Sequence, residues 1–129
     1  MKSICGVEGV RAAGIKEGKF GLTLIEAAGT ATGVFTSNLV RAPPISLMED
    51  RIRKGHLEAV IANSGCANAY TGERGYKDAV RMGDICGEVL GIDTNAVGVA
   101  STGVIGRYLD LPLIERQCRK IAPVLERTE

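Results

Sequence analysis

The dipeptide Pro43-Pro44, preceded by Ala42, is the clearest interruption in this sequence and most constrains how it folds. Neither proline donates a backbone hydrogen bond, and the residue before a proline is pushed toward extended backbone. No single element is expected to cross this point, and the two sides show different patterns. Before it, short aliphatic runs alternate with glycine turns. Val10 to Ile15 and Phe20 to Glu26 read as strands, separated by the turn signal Lys16-Glu17-Gly18-Lys19. Ala27-Ala28-Gly29 breaks the second run, and Thr30 to Phe35 reads as a further strand. The connections are too short for crossover helices, so antiparallel pairing is expected.

Beyond the prolines, strands alternate with helices. Ile45 to Lys54 reads as a short helix, with Ser46 a candidate cap and Gly55 a stop. Leu57 to Ala62 is a buried strand running into the small polar segment Asn63 to Ala69. A helix is predicted over Gly75 to Leu90, entered at Thr71 and closed by Gly91. Its apolar face is Tyr76, Ala79, Val80, Gly83, Cys86, Val89 and Leu90. Val97 to Ala100 is the next strand, followed by Ser101 to Gly106. Asp110 caps a last helix with Pro112 in its first turn, an apolar stripe of Leu113, Ile114, Cys118 and Ile121, and Pro123 to end it. This order describes one mixed α/β domain of the α+β kind over residues 1–129, a layered sandwich. The charged run Glu126-Arg127-Thr128-Glu129 shows no closing strand, so part of the core is expected to be completed by another segment.

Composition mainly excludes. Sixteen basic and fifteen acidic residues leave a formal charge of +1, which offers no footprint for nucleic acid or an acidic membrane surface. No apolar run reaches the roughly 18 residues that span a bilayer, and the start lacks a signal-peptide core, so the cytosol is the expected compartment. Cys5, Cys66, Cys86 and Cys118 are expected as free thiols, with Cys86 and Cys118 as buried hydrophobes. With His56 the only histidine, no metal ligand set is expected, nor any cofactor motif such as a glycine-rich dinucleotide loop. His56 reads as a surface residue, and no Ser–His–Asp or Cys–His arrangement can be built.

Two similar junctions remain, VIANSGCANA at 60–69 and VGVASTGVIG at 97–106. Each is an aliphatic strand ending in hydroxyl, amide and glycine residues. Adjacent strand ends of this kind present N–H groups to a crevice, where a developing negative charge is stabilised. Thr102 and Gly103 would supply a hydroxyl and an uncrowded amide side by side. The same triplets also serve as plain turns, in which Asn and Ser bond their own backbone.

These residues also carry a family resemblance. Asn63-Ser64-Gly65-Cys66-Ala67-Asn68-Ala69 with Thr71-Gly72-Glu73, and Val99-Ala100-Ser101-Thr102-Gly103-Val104-Ile105-Gly106, resemble two signatures of the ornithine acetyltransferases, also called glutamate N-acetyltransferases. Gly33 to Asn38, Val40 to Pro43 and the opening Gly9 to Gly14 are similar to further family segments in the right order. The resemblance implies a precursor that cleaves itself before a threonine into alpha and beta chains, assembled as α2β2. That threonine, at the beta-chain terminus, takes an acetyl group from N-acetylornithine and passes it to glutamate; some members also accept acetyl-CoA. The present chain would be the alpha-chain part, with Thr102 and Gly103 as the catalytic oxyanion hole, and no metal or cofactor. Cys66 stands where the family carries asparagine, and Thr128 matches no family threonine, so the nucleophile must come from the beta chain. Two other readings are a related self-processing amide hydrolase and a non-catalytic module binding a small anion or a partner chain.

Overall fold

A computed structural model describes residues 3–126 and builds them around four strands. β1 (Arg11–Glu17) and β2 (Phe20–Thr30) form a hairpin across Gly18-Lys19. α1 (Pro43–Arg51) leads to β3 (His56–Ser64), α2 (Gly72–Leu90) crosses over to β4 (Val97–Ser101), and α3 (Leu111–Ile121) follows. The sheet order is β1-β2-β3-β4, antiparallel except for the parallel β3–β4 pair. A parallel neighbour needs a long crossover, and α2 provides it.

All three helices cover one face of the sheet. Leu22, Leu24, Ala59, Ile61, Val97 and Val99 meet Leu47 of α1, Ala79, Met82, Ile85 and Cys86 of α2, and Ile114, Cys118 and Ile121 of α3. The other face holds the alternate residues of each strand, and it is half open: Thr23 and Ala100 are exposed, Val60 and Ala62 half-buried. One buried cation ties α1 to the sheet, with Arg51 Nη1 donating to the Val97 carbonyl at 2.8 Å.

The structure corrects several boundaries. The break expected at Ala27-Ala28-Gly29 is a register shift inside β2, which continues to pair through Thr30 with His56. The strand expected over Thr30 to Phe35 is absent beyond Thr30. Ala31 N–H bonds the Gly55 carbonyl, where β3 begins, so no neighbouring strand extends further to pair with it. α1 begins at Pro43 rather than Ile45, because prolines in a first turn lack only N–H groups that would be unpaired anyway. Ser46 is therefore inside the helix, and the capping position falls to Ala42. The expected stops are met: Gly55 and Gly91 both take left-handed backbone, at φ 68° and 70°. Asp110 caps α3 by accepting the Leu113 N–H at 3.0 Å.

α2 starts three residues earlier than expected, at Gly72, and its buried stripe is rotated. Gly75, Asp78, Ala79, Met82, Gly83, Ile85, Cys86 and Gly87 face inward, whereas Tyr76 is 38% exposed. Its glycines face Asn68 and Thr71, the Arg51 guanidinium and the turn at Ile92 to Thr94, and the tyrosine is left at the helix edge. At the other end of the chain, Glu126 makes a single antiparallel bridge with Ala12, and Arg127 to Glu129, with Thr128, lie outside the described residues.

Two expected outcomes follow from this core. Ile61 is fully buried between Leu24 and Val99 on the neighbouring strands, so Ile61→Ala should cost about 2–5 kcal/mol in a urea unfolding experiment. Burial pushes the Cys86 thiol up to about 12 and that of Cys118 up to about 11. Folded pKa values raised in this way stabilise the native state below the unfolded thiol pKa of about 8.5, and the contribution fades as pH climbs toward the folded values. Neither thiol should react with a disulfide reagent at about pH 8 until the chain unfolds, and the urea midpoint should fall between about pH 9 and 11.

Candidate active site

The two junctions singled out in the sequence lie side by side. β3 and β4 run parallel with Asn63 opposite Ser101, and the pairing continues past both strand ends. Thr102 N–H donates to the Asn63 carbonyl at 3.0 Å, and Ala67 N–H to that of Val104 at 2.9 Å. Val104 N–H reaches the Gly65 carbonyl at 3.4 Å, and Gly106 N–H that of Ala69 at 3.0 Å. Two loops of small residues are thus held together by their backbones, because each leaves groups that must find a partner.

Side chains fasten this arrangement from below. The Ser101 hydroxyl donates to the Cys66 carbonyl at 3.1 Å and accepts the Asn68 N–H at 2.9 Å. Asn63 Nδ2 donates to the same Cys66 carbonyl at 2.8 Å. Asn68, 2% exposed, donates from Nδ2 to the Gly75 carbonyl at 2.7 Å and accepts the Thr71 hydroxyl at 2.6 Å. Thr71 does occupy the capping position of α2, but its hydroxyl is spent on Asn68 rather than on a helix N–H. The Arg74 guanidinium lies 3.8 Å from the centre of the Tyr108 ring, tying the first turn of α2 to the loop after β4.

Two glycines make the close approach possible. Gly103 has φ 131°, and a Cβ there would fall 2.5 Å from the Cys66 nitrogen. Gly65, at φ 97°, would in turn drive a Cβ into the Lys19 carbonyl. Both positions exclude side chains on backbone angle and on space.

Against this network, two groups stand out. The Thr102 hydroxyl and the Gly103 N–H have no hydrogen-bond partner among the described residues, and both residues are exposed. Thr102 borders a shallow concavity of about 450 Å³ on the half-open face, with Gly14, Gly21, Thr23 and Ala62. They are unspent donors on a braced backbone, one of the features that an oxyanion-binding site needs.

Lys16 borders the same concavity, whereas the histidine and the cysteines lie elsewhere. His56 is exposed at the opposite end of β3, about 26 Å from Ser64 by strand rise. Cys86 and Cys118 are sealed in the core. The Cys66 thiol is raised by burial, against the lowering effect of Arg107, and sits 3.5 Å from the Tyr108 carbonyl and 3.6 Å from that of Arg107. It is held by backbone acceptors and has no base beside it. No group of three or more metal-binding side chains occurs among the described residues, and no helix there is long and apolar enough to cross a membrane.

Residues 7–129 match the ArgJ family. The chain belongs to that family. It is 52% identical over 119 residues to glutamate N-acetyltransferase of Methanosarcina mazei, covering 92% of this chain and 30% of that protein. The arginine biosynthesis bifunctional protein ArgJ of Archaeoglobus fulgidus is 49% identical over 118 residues, with 92% of this chain and 31% of that protein covered. Among solved structures, ornithine acetyltransferase of Mycobacterium tuberculosis, complexed with ornithine, superposes with a TM-score of 0.90 at 30% identity, over 97% of this chain and 72% of that one. The ArgJ structure from Bacillus halodurans gives a TM-score of 0.85 at 36% identity, over 92% of this chain and 65% of that one. The chain spans about 30% of the length of the curated ArgJ relatives.

Sequence reasoning picked out Thr102 and Gly103 but missed the residues beneath them. Ser101, Asn63 and Asn68 were legible only as members of polar runs; their bonding depends on the neighbouring loop. The braced geometry can be checked by substitution. Gly103→Ala should cost at least about 2 kcal/mol, from positive φ and overpacking together. Gly106→Ala, also at positive φ but with open space around it, should cost clearly less in the same denaturant series.

Proposed function

We propose that this chain is the alpha-chain part of an acyltransferase that moves an acetyl group from N-acetylornithine to glutamate in arginine biosynthesis. In this reading the nucleophile is the N-terminal threonine of a beta chain, and the reaction proceeds in two steps through an acetyl-threonine. Attack on the acetyl carbonyl forms a tetrahedral oxyanion, and the Thr102 hydroxyl and Gly103 N–H receive it. Collapse expels the ornithine amine; glutamate's amine then attacks the acetyl-enzyme through the same oxyanion geometry. The chain's own contribution is electrostatic: two donors already oriented, so that little reorganisation is required as charge develops.

The observation that carries this reading is the pair of unpartnered donors at Thr102 and Gly103 on a junction whose other backbone groups are cross-bonded. Family membership supports the reaction, since relatives are named for glutamate N-acetyl transfer and for ornithine acetyl transfer. The half-open sheet face supports a domain completed by another segment. We read that face as the seat of the beta chain, within a cytoplasmic α2β2 assembly. Acetyl-CoA as an alternative donor would depend on beta-chain contacts.

The experiment is to produce the chain with a threonine-led beta segment and follow acetyl-threonine formation by mass spectrometry, with glutamate or water as final acceptor. Thr102→Ala should slow acetylation on the order of 10²–10³-fold while the complex still assembles. Acetylation at the unchanged rate would remove the oxyanion role, and release of free acetate in preference to acetylglutamate would indicate a hydrolase.

A further inference from the structure

The first turn of α2 touches both loops of the candidate site. The Gly75 carbonyl accepts from Asn68 Nδ2 and so holds the loop after β3. The neighbouring Arg74 lies over the Tyr108 ring and reaches the loop after β4. That second loop is stitched to its neighbour by the N–H groups of Thr102, Val104 and Gly106. At Arg107 and Tyr108 its carbonyls accept only from the Cys66 thiol, a weak donor. Arg74 adds the contact that joins this end of the loop to a helix.

The group that orients Arg74 sits one turn further along α2. Asp78 is 7% exposed, and its Oδ2 lies 3.8 Å from Arg74 Nε. That distance is too long for a hydrogen bond, and Oδ2 accepts none from the described residues, so the attraction is between charges alone. Other charged groups are engaged or distant. On α3, Glu115 is held by Arg81 and Arg119, while Arg116 and Lys120 are exposed. Asp110 accepts the Leu113 N–H, Arg107 acts on the Cys66 thiol, and Arg51 of α1 donates to the Val97 carbonyl. β4 carries no charge, and β3 carries its titratable residues, His56 and Glu58, at the far end.

Burial raises the Asp78 pKa above the ordinary carboxylate range, against the lowering effect of Arg74. With the folded value raised, the protonated form favours the fold. Its contribution is whole below the unfolded value of about 3.9 and is lost as pH climbs through the folded one. The carboxylate is thus a cost to stability at neutral pH, and stability does not account for its place here.

We propose that Asp78 is a positioning residue: its charge holds Arg74 over Tyr108, and the pair fixes the loop that carries Thr102 and Gly103. The benefit to an oxyanion rests on the reading above, whereas the hold on the loop does not.

Nuclear magnetic resonance on the full 129-residue chain tests this. The ring current of Tyr108 should displace the Arg74 Nε–H resonance, and Tyr108→Leu should abolish the displacement. Acidification should also remove it, with a midpoint above about 3.9. Asp78→Asn, equal in size but uncharged, should remove it at about pH 7 and speed exchange of the Gly106 amide about two- to fivefold, the size of one exposed cation–π contact. Arg74→Gln should speed exchange likewise, whereas Arg74→Lys, which keeps the charge, should stay closer to the native rate. The urea midpoint of Asp78→Asn at about pH 7 should hold or rise. An unmoved resonance or exchange rate in Asp78→Asn, or a fall in its urea midpoint, would each overturn the proposal. None of these readouts depends on turnover, so failure of the oxyanion role leaves them unchanged.

Discussion

Parallel pairing of β3 and β4, carried beyond the strand ends, is the constraint on which the candidate site depends. The register that sets Asn63 beside Ser101 also sets Cys66 beside Val104, and every following contact between the loops inherits it. Backbone groups in such loops must be paired or hydrated. Here nearly neighbouring residues satisfy one another across the gap, while Ser101 and Asn68 take up what remains. The unspent hydroxyl and amide at 102 and 103 gain meaning from that contrast. The Gly103 N–H belongs to a backbone held in place, so the cross-bonded loops set its direction.

The same pairing explains why the molecule is two-sided. A parallel neighbour requires a crossover, α2 lies on one face, and α1 and α3 pack against it there. Apolar residues of the strands alternate, so those facing the helices are sealed while Val60 and Ala62 on the reverse are only half covered. Thr102 borders a concavity on this less covered face. Gly65 and Gly103 allow the loops between them to be thin. The chain spans about 30% of the length of its curated ArgJ relatives.

The sequence by itself determined the order of the elements, because hydrophobic period, proline and glycine act locally. Gly55 and Gly91 ended their helices, Asp110 began the last one, and the short glycine turn made β1 and β2 a hairpin. Thr102 and Gly103 stood out as a strand running into hydroxyl and glycine residues, a local pattern that plain turns share. Residues 31–35 were misread as strand since local β propensity cannot reveal whether a neighbouring strand remains to pair with. The inward turn of α2, with Met82 and Ile85 replacing Tyr76, depended on which side of the helix met the sheet and the other helices. Tertiary structure alone decided the bracing by Ser101 and Asn68, the contact of Arg74 with Tyr108, and the open reverse face. Each of these is a relation between atoms far apart along the chain, and such relations come into being only when the sheet register brings the segments together.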